Sequence, residues 1–433
     1  MTDQNPSTGA GNIKKFEITP NKGGEPKDIS AAIVEYNYYE SVMSNYISSN
    51  ATVVETGNEQ SGPAPGILDS LPIRGGEKSN IVVQDAVGNS IIVTGGLHVN
   101  RVRTGMPGST KDIYRLDFAS RDYFMNEQSR VIKRYEGKIS DNVETILKDV
   151  LKTKSKIEVD ETSLEYNFYG NYKKPFYICT WLASKSVPTK GTGDVGGFLF
   201  FQTRDGLYFK SIDDLFGKEA KKKYIFNDTP GLPPGYDEKI LDYDIDSDIE
   251  LDENLMMGAY NSQAYLFDYF KHEFTQVNLD INKQKGTAQT AGPDYVNVNP
   301  EFIEKPSRIM YHLMDYGVNP RGSGEEQLSN WRQGTDAIPN YDAQKTLLQT
   351  IMRYQQMFTV QTTITIPGDF TIKAGDMIEC DFPQLEGKKN KENNKQTGGK
   401  YMVAHVCHRI TPNDSFTRLG LVRDSFGKKG GGF

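Results

Sequence analysis

The chain reads as an α+β protein that is mainly β: two antiparallel β units flank a mixed α/β middle, and a loop-rich insertion splits the second unit. Three observations predict this. Short runs rich in Ile, Val, Tyr and Thr, separated by Gly, Pro, Asn and Asp turns, recur near both ends of the 433 residues. The middle changes to a helical period. Uncharged polar residues are abundant: hydrophobic residues reach only 36% with Tyr included, while charged residues stand at an ordinary 25%.

Residues 1–12 read as a flexible arm and 13–125 as the first unit. There AAIVEYNYYESVMSNYISSNATVVE supplies strand-like runs, followed by the loop GNEQSGPAPG. SNIVVQD, a turn at Ala86–Asn89, SIIVTGGLHVNRVR, the turn TGMPGST and DIYRLDFAS complete a small barrel or sandwich. Residues 126–235 form the middle. Val143, Ile146, Leu147, Val150 and Leu151 lie at i, i+3, i+4, i+7 and i+8, an amphipathic helix that Ser140 or Asp141 can cap, with Glu144 three residues past Asp141. A second helix starts at Pro175, suited to a first turn, and buries Phe176, Cys179, Leu182 and Ala183. FLFFQTRDGLYFKSI then makes a hairpin around Arg-Asp-Gly.

After the linker NDTPGLPPGYDEK, strand character returns in ILDYDIDSDIELDE and AYLFDYFKHEFTQVNLDI. The second unit is assigned 236–281 and 341–425, with 282–340 as the insertion and 426–433 as a flexible tail. A third helix in AQKTLLQTIMRYQQMF carries Leu347, Leu348, Ile351, Tyr354 and Phe358 on one side. VQTTITIP, IKAGDMIECDFP, KYMVAHVCHRI and SFTRLGLVRDS are strands, with a Lys-rich loop between the second and third.

Composition excludes several classes. No stretch approaches the roughly 20 apolar residues of a membrane-spanning helix, and MTDQNPSTGAGN lacks the basic and apolar regions of a signal peptide. Three cysteines make no disulfide framework, which points to assembly in a reducing host cytoplasm. A net charge of −7 argues against a nucleic-acid binder driven by phosphate contacts.

The motifs that suggest chemistry each have a plainer reading. Gly191, Gly193 and Gly196 spell G-x-G-x-x-G, but a helix precedes them and a strand follows, the reverse of a dinucleotide site. Asp242, Asp244, Asp246, Asp248, Glu250 and Glu253 match the ligand positions of a calcium loop, yet Ser247 stands where the loop needs Gly. Leu241, Tyr243 and Ile245 alternate with the aspartates, so a strand with one acidic face is the better reading. Cys407 and His408 point to opposite faces of a strand, and His405 with Cys407 supplies only two ligands. No H-E-x-x-H, C-x-x-C or G-x-S-x-G occurs. No metal, cofactor or catalytic residue is expected. Lys388, Lys389, Lys391, Lys395 and Lys400 form either a solvated hairpin tip or a contact for an acidic partner.

TLLQTIMRYQQMFTVQTTITIPGDFTIKAGDMIECDFP, a helix, a strand, a Gly-Asp-Phe turn and a further strand, leads into the hairpin KYMVAHVCHRITPNDSFTRLGLVRDS. This arrangement resembles the central baseplate hub protein of contractile-tailed bacteriophages, the T-even type and its relatives. KPFYICTWLASKSV with GGFLFFQTRDGLYFKSI is similar to that family's middle domain, and AYLFDYFKHEFTQVNL to the strand opening its second barrel. The resemblance spans most of 13–425 and is strongest over 341–425.

It implies two tail-tube-like β-barrel domains in one chain and a homotrimer whose six barrels form a pseudo-six-fold ring. Such a hub is a virion structural protein of the tail baseplate. It joins the hexameric tail tube to a trimeric spike with an OB-fold domain, contacts wedge and tape measure proteins, and carries no chemistry. Within that picture Asp242, Asp244, Asp246 and Asp248 are expected to line the channel and repel DNA, and Lys388, Lys389, Lys391 and Lys395 to contact a partner. Tyr-rich strands suit both β structure and interfaces. The competing readings are a tail-associated peptidoglycan hydrolase or peptidase, and a carbohydrate-binding sandwich using Trp181 and Trp331.

Overall fold

The computed structural model describes residues 9–56, 71, 73–93, 96–107, 111–189, 195–227, 231–246, 251–269, 271–284, 288–294, 298–317, 340, 342–383 and 396–428. Most of its strands belong to one large sheet. In the first unit, Ile33–Ser41, Ser48–Thr56, Lys111–Ser120, Leu97–Pro107, Lys78–Gln84 and Asn12–Thr19 lie side by side, all antiparallel. Alternation decides which side is buried: Tyr114, Leu116 and Phe118 point inward while Arg115 and Asp117 point out. Phe16 packs edge-on against Tyr36 and Phe118 at centroid distances of 5.7 and 5.6 Å, at the centre of this core.

The second unit is built by Lys223–Ile225, Met377–Asp381, Gly399–Ile410, Ser415–Arg423, Val360–Pro367 and Asp242–Asp246. Its core holds Ile364, Ile366, Leu419, Leu421, Tyr401 and Met402. One segment changes partner within it: the Ile240 N–H donates to the Ile225 carbonyl at 2.9 Å, and the next N–H, of Leu241, to the Thr365 carbonyl at 2.8 Å.

The units share a strand. Gly399–Ile410 pairs with Met377–Asp381 near its start. Beyond a register irregularity between Val403 and His405 it pairs with Ile33–Ser41, from His405 opposite Ser41 to Ile410 opposite Tyr36. The sheet therefore runs without a break from one unit into the other.

The middle follows its sequence signals. Helix Ile139–Thr145 continues as a π-wound turn over Ile146–Val150, burying Val143, Ile146, Leu147 and Leu151. The cap differs from expectation: the helix begins after Lys138 with no side-chain cap, and the Ser140 N–H donates to Thr162 Oγ1 at 3.0 Å. Helix Pro175–Ala183 starts at the proline and buries the four expected residues. Phe198–Thr203 and Gly206–Ser211 form the hairpin, and Lys156–Val159 joins it in parallel. The third helix is π-wound over Gln344–Gln349 and α over Thr350–Gln356. Leu348 and Met352 are its fully buried apolar residues, whereas Leu347, Ile351, Tyr354 and Phe358 are half-buried.

Three placements depart from the sequence reading. The aromatic stretch after residue 260 does not join the large sheet: Asn261–Asp268 pairs with Glu273–Asp280 and, in parallel, with Arg308–Leu313, making a separate sheet. Its inward residues Ala264, Leu279 and Met310 pack with Leu348 and Met352 of the third helix. Arg308–Leu313 and a short helix at Pro300–Ile303 mean that the 282–340 stretch carries regular structure as well as loops. Lys223–Ile225, from the stretch read as middle, pairs in parallel with Met377–Asp381 of the second unit.

Candidate assembly face and the junction beneath it

The continuous sheet has one side packed on the cores and one side left polar. Cross-strand pairing sets the rows on the polar side. Asp242 lies opposite Thr365, Thr365 opposite Arg418, Arg418 opposite Cys407, Cys407 opposite Tyr39 and Tyr39 opposite Ser48. A second row runs Arg409, Asn37, Asn50, Asp117, Arg101. Eight strands at about 4.8 Å spacing make this face roughly 35 Å wide. Its side chains hold one another. Arg409 pairs with Glu35 at 3.3 Å, Asn37 Nδ2 donates to Glu35 at 2.8 Å and to Asn50 at 3.1 Å, and Asn50 donates to the Tyr39 hydroxyl at 3.2 Å. Asp117 takes Arg115 at 2.9 Å and Arg103 at 3.1 Å. Exposed pairs of this kind contribute at most about 1 kcal/mol each, so they order the face more than they stabilise the fold.

Asp242 and Asp244 are exposed on this face, at the margin set by the Val360–Pro367 pairing, while Tyr243 and Ile245 turn inward. Asp246 ends the strand, but its side chain and all of Asp248 lie outside the described residues, as do Lys388, Lys389, Lys391 and Lys395. Lys400 is described and pairs with Glu219 at 3.0 Å. The acidic margin gives way to arginines across the rest of the face, so its charge is mixed. The calcium template is not realised as a loop over 242–246: that segment is an extended strand, which sets Asp242 and Asp244 about 7 Å apart along it. Glu253 lies in the helix Leu251–Met257, while Ser247 and Glu250 lie outside the described residues.

The remaining candidates resolve as packing. His405 and Cys407 face the polar side. His408 is fully buried on the other side, where its Nδ1 meets Thr417 Oγ1 at 2.9 Å, and burial, reinforced by Arg204, lowers its pKa to about 3. Burial pushes the Cys179 and Cys380 thiols up, which leaves them poor nucleophiles. Gly191 and Gly193 lie outside the described residues; at Gly196 a Cβ would stand 2.5 Å from the Lys345 carbonyl oxygen. That glycine serves close contact with the third helix. Among the described residues no group of three or more His, Cys, Asp or Glu is placed to hold a metal. Trp181 is half-buried and edge-on to Tyr166 and Phe168; Trp331 lies outside the described residues.

Sequence reasoning missed the polar groups that lock the units together. The tip of the middle hairpin reaches the junction, where Glu40 accepts from the Arg204 N–H at 2.9 Å, the Tyr38 hydroxyl at 2.7 Å and the Ala374 N–H at 3.1 Å. Burial raises the Glu40 pKa, and the Arg204 charge opposes it. Arg204 Nη2 donates to the Ile372 carbonyl at 3.3 Å. Elsewhere Arg353, itself buried, reaches Asp213 at 2.8 Å and Asp424 at 2.9 Å, and so ties the third helix to the helix Ile212–Gly217 and to the end of Ser415–Arg423. An acid inside an alternating strand and an Arg in a hairpin turn carry no local mark of burial.

No family model matches the chain. In sequence it is 22% identical over 371 residues to a probable baseplate hub protein of Vibrio phage KVP40, covering 81% of this chain and 79% of that one. In fold it is similar to the 43 kDa tail protein of prophage MuSo2 from Shewanella oneidensis, with a TM-score of 0.52 at 7% identity, covering 95% and 98% of the two chains. It is also similar to a tail protein from Neisseria meningitidis MC58, with a TM-score of 0.50 at 10% identity, covering 96% and 97%. The sequence resemblance to a baseplate hub protein thus covers 81% of the chain, and the likeness in fold to tail proteins nearly all of it.

Proposed function

We propose that the chain is a structural hub of a phage tail baseplate, acting as a homotrimeric adaptor between a hexameric tail tube and a trimeric spike with an OB-fold domain. The observation that carries the reading is the strand Gly399–Ile410, which belongs to both β units and fixes their relative orientation. A three-fold protein that presents six near-equivalent sites needs its two units in a fixed relation, and the shared strand supplies one within the chain. The switch of partner at Ile240–Leu241 supports reading the second unit as a closed tail-tube-like barrel, because one segment touches both ends of the strand series Lys223–Ile225 to Val360–Pro367. The sequence similarity to a probable baseplate hub protein points the same way.

In this reading the polar face is the channel wall, with Asp242 and Asp244 at one margin, and Asp246 and Asp248 belong to the same channel lining. The loop bearing Lys388, Lys389, Lys391 and Lys395 meets a neighbouring baseplate protein, and wedge and tape measure proteins are further neighbours. The protein is not an enzyme, binds no nucleic acid specifically and does not insert into a membrane. It works in the virion tail baseplate after assembly in the host cytoplasm. Light scattering of the purified chain, alone and with its spike, tests the reading. It expects a particle of three times the 48.6 kDa of one chain, seen as a ring by electron microscopy. A chain that stays single under both conditions and joins neither tube nor spike removes it.

A further inference from the structure

The middle hairpin has an edge with an unmet demand. Along Phe198–Thr203, residues alternate between bonding to Gly206–Ser211 and presenting their backbone groups to the opposite side. Phe198 and Gln202 face that opposite side: the Phe198 carbonyl accepts from the Tyr354 hydroxyl at 2.6 Å, and the Gln202 N–H donates to the Ser44 carbonyl at 3.4 Å. Phe200 lies midway and has the same orientation. Its opposite residue, Phe209, agrees, since the Phe209 carbonyl turns the other way to accept from the Asp160 N–H at 2.9 Å. The Phe200 N–H and carbonyl have no partner among the described residues, although the residue is only 4% exposed. Buried backbone groups are almost always paired, with protein or with water, so this donor and acceptor are available to a partner that displaces solvent from the edge.

The edge opens into a cavity of about 440 Å³ walled by Val42, Met43, Ala183, Phe200, Met357 and Phe358, with no charged side chain among the described residues of its lining. Met43 is largely exposed beside it. We propose that this cavity docks an extended polypeptide segment of a neighbouring tail protein. The segment pairs with the Phe200 N–H and carbonyl as a short added strand and buries one uncharged aliphatic side chain. An extended backbone offers a donor and an acceptor at the spacing that one strand residue requires, which is the logic of strand addition at a sheet edge. The charge-free walls reject Lys, Arg, Asp and Glu at the anchor position. The Tyr354 hydroxyl and the Ser44 carbonyl close the slot four residues apart, about 13 Å, so roughly three residues of the segment cross it. The proposal rests on the chain being part of a tail assembly.

Hydrogen–deuterium exchange resolved to single residues, on the free chain and on the same chain within purified tails, tests this. In the free chain the Phe200 amide exchanges about tenfold or more faster than the ladder amides of Leu199 and Phe201, and in tails it slows by about tenfold or more. Thr180→Trp places a bulky side chain at an exposed position of the cavity lining. It leaves the melting temperature unchanged and reduces recovery of the chain in tails by about tenfold. A Phe200 amide exchanging at the same rate in both states overturns the proposal, as does a Thr180→Trp chain that assembles at the normal level. A chain absent from tails removes the hub reading and this proposal with it, whereas a chain present there with an unprotected Phe200 removes this proposal alone.

Discussion

Glu40 concentrates the cost of joining three parts of the chain at one carboxylate. Its two oxygens serve a hydroxyl of its own strand, an N–H of the middle hairpin and an N–H of the loop before Met377–Asp381. Glu40→Ala strands three buried donors and removes the negative charge beside Arg204, so urea unfolding should show a loss of about 3–5 kcal/mol. Glu40→Gln keeps an acceptor and should lose less than half of that. His408 offers a pH readout. Its folded pKa, about 3, lies below the unfolded value of 6.5, so the unfolded chain takes up the proton first as pH falls. Its contribution is complete above pH 6.5 and is lost progressively towards pH 3, reaching about 2–3 kcal/mol at pH 4.5. The wild type minus His408→Gln difference in unfolding free energy should therefore slope upward with pH across that window; a flat difference would mean that His408 is protonated inside the fold. That Cys407 and His408 face opposite sides follows from strand period alone. That Glu40 is buried could not be read locally, because its partners lie 164 and 334 residues away.

Among the elements, those legible in the sequence were the ones whose signal is local. The helix of 139–150 is set by its own apolar spacing, the helix starting at Pro175 by its spacing and its first-turn proline, and the Arg-Asp-Gly hairpin by its turn. The sheet of Asn261–Asp268 escaped because its parallel neighbour Arg308–Leu313 begins 40 residues beyond the end of that strand, and a parallel pairing leaves no turn to recognise. The acidic strand is a mixed case: period predicts its two faces, and Asp242 and Asp244 do share the exposed one. What lies opposite that face in an assembly is a matter of neighbours, which no local pattern encodes. Gly196 shows an element packed too closely for any side chain. Since a Cβ there meets a backbone carbonyl and Thr350 Oγ1 at 2.5 and 2.7 Å, Gly196→Ala must push the third helix off the hairpin. A loss of about 1–3 kcal/mol is expected in thermal unfolding, against less than 0.5 kcal/mol for Gly231→Ala, where the space is open.

At the scale of the molecule, two cores would ordinarily predict two unfolding units, since domains with separate cores usually melt separately. Three features oppose that here. Gly399–Ile410 cannot leave one unit without breaking pairing in the other, because His405 to Ile410 hold Ile33–Ser41 while the same strand binds Ser415–Arg423 along almost its whole length. The first core contains Phe370 and Ile410 from the far end of the chain, and the Phe370 N–H donates to Asp85 across 285 residues at 3.2 Å. Glu40 then ties the middle hairpin to both. Opening either unit alone would expose the polar network at the junction together with parts of both cores, so the partly unfolded state carries much of the cost of unfolding with little of the chain entropy gained. Calorimetry on the isolated chain should therefore show one transition, with calorimetric and van't Hoff enthalpies in agreement. Glu40→Ala should lower that transition without splitting it, because the shared strand and the Phe370–Asp85 contact still couple the units. Two transitions in the wild type would mean that the strand joins the units without coupling them, and a rigid six-site adaptor would then need its stiffness from neighbouring subunits.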